Sequence, residues 1–159
     1  MNSYLIVAGV DGSEGGRRAL QWAAKEAGSR GGVVQAVLAW SWDGLDFVPI
    51  AATYPEVEAQ QARSILDREI DAVTRQCGLP LPIAGEAVEG SPAAVLTAAA
   101  RTADLLVLGS HGHSRIRRTA LGSVSEECIR RAACPVVVIR DEHSSDIERL
   151  RELDDVVGE

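Results

Sequence analysis

The sequence predicts an α/β protein built on a doubly wound parallel sheet with helices on both faces, and three observations carry that prediction. Short runs such as Leu5 to Val10 and Leu105 to Gly109 are apolar on both faces, as strands of a sheet covered on each side must be. The segments between them repeat apolar residues at the 3.6-residue helical period. The two kinds of segment alternate as βαβαβαβαβ, an order that winds into a right-handed parallel sheet with ligands beyond the carboxyl ends of its strands.

Taken in order, the first strand is Leu5 to Val10, and Leu20, Ala23, Ala24 and Ala27 mark one face of the helix that follows. The second strand is Val33 to Trp40. Ser41 to Pro55, with Trp42, Phe47, Pro49 and Tyr54, is too rich in large apolar residues for a plain linker and reads as a flap near the strand ends. Ala62, Ile65, Leu66, Ile70, Val73 and Cys77 give the second helix its buried face. Ile83 to Val88 carries Glu86 within it and reads as an edge strand. Ser91-Pro92, a cap followed by a proline at the first helical position, opens a third helix through Val95, Leu96, Ala99 and Ala100. After Leu105 to Gly109, a fourth helix with Val124, Cys128, Ile129 and Ala132 on one side ends before Cys134-Pro135, because proline blocks its continuation. Val136 to Ile139 closes the sheet. Residues 1–140 form one domain, and 141–159 an acidic tail for which a short helix and disorder are both open.

With 159 residues, the chain is long enough for one two-sided core and short for two. It is 46% hydrophobic and 25% charged, with no apolar run near the roughly 18 residues of a membrane helix. The N-terminus enters the first strand without a secretory signal, so a cytoplasmic location is expected. Cys77, Cys128 and Cys134 match no disulfide or zinc spacing and read as small buried hydrophobes. A net charge of -7 excludes broad binding to nucleic acid, whose phosphates the overall field repels.

The chemistry concentrates from the end of the fourth strand, where Gly109, Ser110, His111 and Gly112 are followed by nine residues and then Gly122-Ser123. Gly109 and Gly112 are expected to adopt backbone angles closed to other residues and to let main-chain N–H groups approach an anion. The helix starting near Ser123 adds free N–H donors and the positive end of its dipole, and the serine adds a hydroxyl. Ser123 and Glu126 equally have the spacing of a capping box, so an ordinary helix start remains open on these residues alone. His113, Arg115, Arg117 and Arg118 form a cationic strip suited to phosphate. His111 and His113, two residues apart with no cysteine at ligand spacing, do not make a metal site. A histidine-glycine-histidine motif of the nucleotidyltransferase kind would have to follow the first strand, whereas this one follows the fourth. The GxxxxGK[ST] loop is absent and no nucleophile is paired with a base, so no catalytic residue is assigned.

The spacing G-x2-G-x9-G-S resembles the ATP-binding signature of the universal stress protein family. Val10-Asp11-Gly12-Ser13 resembles that family's first-strand motif, and Cys134-Pro135-Val136-Val137-Val138-Ile139 its closing strand. The resemblance implies a Rossmann-like five-stranded sheet of order 3-2-1-4-5 and a homodimer through Val136 to Ile139. By the same resemblance, Asp11 at the end of the first strand contacts adenosine, while Gly109, Gly112, Gly122, Ser123 and Val124 surround the phosphates. Trp40 matches the place where the main chain meets adenine, usually a smaller residue; stacking on the base, obstruction of it and a plain core role are all open there.

The resulting expectation is a regulatory switch that binds ATP, with magnesium bridged by phosphate oxygens as an accompanying ion, and that signals to an unidentified protein partner. The alternatives are a slow ATPase or phosphotransferase using the same cleft, a cyclic AMP binder, and a nucleotide-free dimeric interaction protein whose cleft Trp40 closes.

Overall fold

The computed structural model describes residues 3–41, 54–78, 81–112 and 121–140. Most of the expected flap, the strip holding His113, Arg115, Arg117 and Arg118, and the tail from residue 141 onward lie outside the described residues.

Five strands, β1 (Leu5–Gly9), β2 (Val33–Trp40), β3 (Ile83–Glu89), β4 (Leu105–Gly109) and β5 (Val136–Ile139), form one parallel sheet in the order β3-β2-β1-β4-β5. Four helices connect them: α1 (Glu14–Arg30), α2 (Pro55–Cys77), α3 (Pro92–Ala99), which runs into a 3-10 turn at Ala100–Thr102, and α4 (Ser123–Arg131). Among the described residues, no helix is long and apolar enough to cross a membrane. The strand order is the one expected, and β3 lies at an edge as its internal glutamate suggested.

Two cores cover the faces of the sheet. Ile6, Ala8, Val34 and Leu38 pack under α1 and α2, together with Leu20, Leu66 and Val73 from those helices. Val7, Val37, Leu106 and Leu108 pack under α3 and α4, with Leu96 and Cys128. Side chains alternate between the cores along each strand because a strand's period is two residues. Burying a leucine such as Leu20 or Leu66 completely contributes about 2 kcal/mol, against differences in helix propensity of only tenths, so packing rather than propensity holds the helices in place.

The helix ends follow local chemistry. Ser13 caps α1 by accepting the Gly16 N–H at 3.1 Å, and Gly31 closes that helix at a φ of 63°, in the left-handed region that favours glycine. Ser91 occupies the N-cap of α3 ahead of Pro92 as expected, but its hydroxyl makes no capping bond. Two readings of α4 are corrected. The N-cap is Gly122, in extended backbone, and Ser123 is the first helical residue, so no capping box joins Ser123 to Glu126. The buried stripe of α4 runs through Ser125 and Cys128, whereas Ile129 is 47% exposed. The helix stops at Arg131, and Ala132 is already extended.

The cysteines are free thiols. Cys128 is buried as expected, while Cys77 and Cys134 are half-buried, a correction for those two. Cys77 is the last residue of α2, where the helix emerges from the core.

Candidate functional site

The chain leaves β1 toward β2 on one side and β4 toward β5 on the other, so the connections part between neighbouring β1 and β4. Such a parting opens a crevice at the carboxyl ends of the strands. A cleft lies there, with about 570 Å³ of empty volume including its open mouth. Val37, Ala39, Pro92, Leu96 and Leu108 form its apolar wall, and Asp11, His111 and Ser125 bring polar groups to it.

Asp11 lies two residues past the end of β1. The Val10 N–H donates to the Val37 carbonyl at 2.9 Å, which carries the sheet pairing one residue beyond β1 and fixes where Asp11 begins. The chain then turns at Gly12, whose φ is 81°. The Ser13 N–H donates to Asp11 Oδ1 at 2.9 Å, and the Ser13 hydroxyl donates to the same oxygen. Asp11 therefore organises the turn that starts α1 while also lining the cleft.

Close packing surrounds that carboxylate. A Cβ at Gly16 would come within 2.7 Å of Asp11 Oδ1, and one at Gly112 would collide with Asp11 Oδ2. A Cβ at Gly109 would come within 2.7 Å of the Gly15 carbonyl carbon. The signature glycines thus act by close approach. The expectation of special backbone angles at Gly109 and Gly112 is corrected, since the positive-φ glycines among the described residues are Gly12, Gly31, Gly78 and Gly90.

The end of β4 is tied to the start of α4. The Ser110 N–H donates to the Ile139 carbonyl at 2.8 Å, and the Gly122 N–H donates to the Ser110 carbonyl at 2.7 Å. The Ser125 hydroxyl donates to the Gly109 carbonyl at 2.8 Å and lies 3.2 Å from that of Ser110. The Ser110 hydroxyl and His111 Nδ1 are hydrogen-bonded at 3.2 Å. Gly122, separated from Gly112 by nine residues in sequence, is thereby brought back against Ser110 and His111, which precede Gly112. The first i to i−4 bond of α4 is Glu126 N–H to the Gly122 carbonyl at 3.0 Å. The N–H groups of Ser123, Val124 and Ser125 precede it and have no acceptor among the described residues, so they are the donors this helix start presents.

Of the residues singled out from sequence, Val10, Asp11, Gly109, Gly112 and Val124 line the cleft. Gly122 and Ser123 stand beside it at the start of α4, with the Gly122 N–H committed to Ser110. His113 and Arg115 lie outside the described residues. Trp40 is not among the lining residues; its side chain packs with the α1 and α2 core, while Ala39 faces the cleft. The ring therefore lies on the sheet face away from Ala39 and the cleft lining, and the Trp40 carbonyl accepts the Gly90 N–H at 2.8 Å.

Sequence reasoning missed Ser125, Gly16 and the lining role of His111. Ser125 could have been found from its place on the stripe of Cys128, three residues away, where a polar side chain must find a partner inside the fold. Among the described residues, no three histidine, cysteine or acidic side chains cluster to hold a metal.

Comparison with known proteins agrees with this architecture. The model of the universal stress protein family matches residues 5–140. Universal stress protein Rv2005c of Mycobacterium tuberculosis is 32% identical over 147 residues, an alignment covering 89% of this chain and 48% of the relative. This chain spans about half the length of such curated relatives. A universal stress protein solved in complex with cyclic AMP superposes with a TM-score of 0.66 at 26% identity, covering 86% of this chain and 96% of that one. One from Archaeoglobus fulgidus, solved with dAMP, superposes with a TM-score of 0.63 at 24% identity, covering 87% of this chain and 98% of that one. Because the family match takes in every strand and both ends of the cleft, the chain belongs to the universal stress protein family.

Proposed function

We propose that this protein is a cytoplasmic regulatory switch that binds an adenine nucleotide, ATP by preference, in the cleft between β1 and β4. The supporting observation is the juxtaposition of Asp11, an apolar wall and the α4 helix start, with glycines at the points of close approach. Val37, Ala39, Pro92 and Leu96 suit a flat purine base. Asp11 can accept hydrogen bonds from ribose hydroxyls. The N–H groups of Ser123 to Ser125, which have no acceptor among the described residues and stand at the positive end of α4, suit phosphate oxygens. The close contacts at Gly109 and Gly112 fit a nucleotide cradle, since larger residues would displace its walls. Magnesium, where it accompanies ATP, is held by phosphate oxygens rather than by a protein cage. His113 and Arg115 are proposed to add positive charge to the phosphates.

One observation favours a second ligand: the relative solved with cyclic AMP is 26% identical over most of both chains. Cyclic AMP would use Asp11 and fewer of the phosphate donors. In either case binding is the output, read by a protein partner. A homodimer through β5 is part of the proposal, because Val136–Ile139 is a half-buried edge strand and pairing would cover the backbone groups it turns away from β4.

The test is calorimetric titration of nucleotide-stripped protein with ATP and magnesium, AMP and cyclic AMP, followed by chromatography of the nucleotide. Saturable ATP binding without product is expected. Gly122→Val serves as a control, since even a Cβ there would lie 3.2 Å from the Ser110 carbonyl oxygen. Folded protein that binds none of the three overturns the reading; product formation above that of the control makes it an enzyme. A monomer at micromolar concentration in light scattering overturns the dimer.

A further inference from the structure

Arg17 and Glu69 form an ion pair outside the cleft lining and outside every motif in the sequence. Glu69 is fully buried at the middle of α2, and Arg17 grips it with a bidentate fork, Nε to Oε2 at 2.7 Å and Nη2 to Oε1 at 2.9 Å. We propose that this pair is the positioning device for the α1 wall of the cleft, holding the first turn of α1 so that Asp11 and Gly16 keep their places. The nucleotide reading above supplies the ligand for which they are placed.

The first turn of α1 is poor in side chains where it meets the cleft. Gly15 lies with its backbone against Gly109, and Gly16 lies against the Asp11 carboxylate. Neither glycine has a side chain to pack, and each lowers helix propensity. Two anchors remain. On the N-terminal side, Ser13 accepts the Gly16 N–H on its hydroxyl and the Arg17 N–H on its carbonyl, at 3.1 and 3.0 Å. On the other side, the next residue, Arg17, reaches a carboxylate that cannot follow it outward. Ala62 and Leu66, on the N-terminal side of Glu69 along the same helix, are buried in the core, so α2 is a fixed reference. A planar fork on a carboxylate sets direction as well as distance, which a single contact does not. Arg68 also faces the Glu69 carboxylate, at 3.7 Å, and Glu14 adds its field to Arg17. A bridge serving only to join α1 to α2 could sit anywhere along their contact; this one sits one residue from the cleft wall.

Three variants test the proposal: Glu69→Gln, Arg17→Lys and Val73→Ala. Val73 shares the helix face of Glu69, and its truncation destabilises the same helix away from the clamp. Each is titrated with ATP and magnesium and with cyclic AMP, at a temperature where circular dichroism shows it folded. Glu69→Gln is expected to bind about tenfold more weakly than the parent. Arg17→Lys, which keeps the charge without the fork, should lose less. Val73→Ala should bind as the parent does although its thermal midpoint falls. Parent-like affinity in Glu69→Gln overturns the proposal, as does an equal loss in Val73→Ala, which would make the effect one of general stability. A second readout needs no ligand: the Gly16 and Arg17 amides should exchange their hydrogens about tenfold faster in Glu69→Gln, and at the parent rate in Val73→Ala. If the parent binds neither nucleotide, the functional reading falls and amide exchange alone decides the clamp, parent-like rates in Glu69→Gln overturning it. If Glu69→Gln does not fold, Arg17→Lys decides, and unchanged affinity and exchange overturn the proposal.

Discussion

The carboxylate of Asp11 and the α-carbon of Gly112 are packed so closely that any side chain at position 112 would strike Asp11 Oδ2. Two segments 101 residues apart are thus matched at one contact, one ending β1 and the other following β4. Gly112→Ala must displace either the loop or the carboxylate. Nucleotide affinity should fall about tenfold or more while the circular dichroism spectrum is kept, because the contact lies at the rim of the sheet rather than in its core. Titration of the folded variant checks this; parent-like affinity would remove Asp11 and Gly112 from the site.

Gly109→Ala should behave differently. Its Cβ would meet the backbone of Gly15, at 2.7 Å from the carbonyl carbon and 2.8 Å from the oxygen, and backbone cannot rotate away as a side-chain tip can. Pushing α1 off β4 is overpacking, expected to cost about 2 kcal/mol. Urea unfolding should show that loss as a lower midpoint with an unchanged slope. A variant as stable as the parent would mean that α1 shifts freely.

Much of this was legible because local pattern and global order agree. Strands such as Leu105 to Gly109 are apolar on both faces, and the alternation with helices leaves few topologies. The signature glycines from the end of β4 onward were legible as a place where something must come close, but not what does. For Gly109 it is the backbone of Gly15, a contact between residues 94 apart. The buried stripe of α4 was misread at its margin because nine residues make only two and a half turns: Ser125 and Ile129, four residues apart, lie only about 40° apart around the helix axis, so a small error in placing the stripe exchanges one for the other. The capping-box alternative at Ser123 rested on its hydroxyl and the spacing to Glu126, yet the cap position falls to Gly122. Trp40 carried a usable signal: strand alternation puts it on the same face as Leu38, away from Ala39 and the cleft. The Arg17–Glu69 pair spans 52 positions and has no local signature at all.

The thiols should separate by reactivity. Burial pushes the Cys128 thiol up to about 11, so at pH 8 only about one molecule in a thousand carries the reactive thiolate there. Burial also raises the Cys134 thiol. With a chromogenic disulfide reagent at pH 8, Cys77 at the end of α2 should react first and Cys134 more slowly. Cys128 should react only when the protein unfolds. Mass spectrometry of partly labelled protein assigns the order, and rapid labelling of Cys128 in the folded state would mean that α4 opens readily.

The Glu69 clamp also predicts how stability depends on pH. Hydrogen bonds from Arg17 hold the Glu69 carboxyl below its ordinary value, outweighing the burial that opposes them. In the unfolded chain the carboxyl returns to about 4.3. Between those two values the unfolded state binds more protons than the folded one, so stability rises with pH across that window. The contribution is complete above the unfolded value and disappears as pH falls through the depressed folded one. Glu69→Gln has no such proton to release. Urea unfolding from pH 7 down to pH 3 should therefore show a gap between parent and Glu69→Gln that is constant above about pH 5 and narrows below it. Because Arg17 is 39% exposed and water screens it, that gap should be about 2 kcal/mol rather than the larger cost of breaking a fully buried pair. A gap that stays constant down to pH 3 would mean that the Glu69 carboxyl titrates alike in both states and that the fork does not hold it.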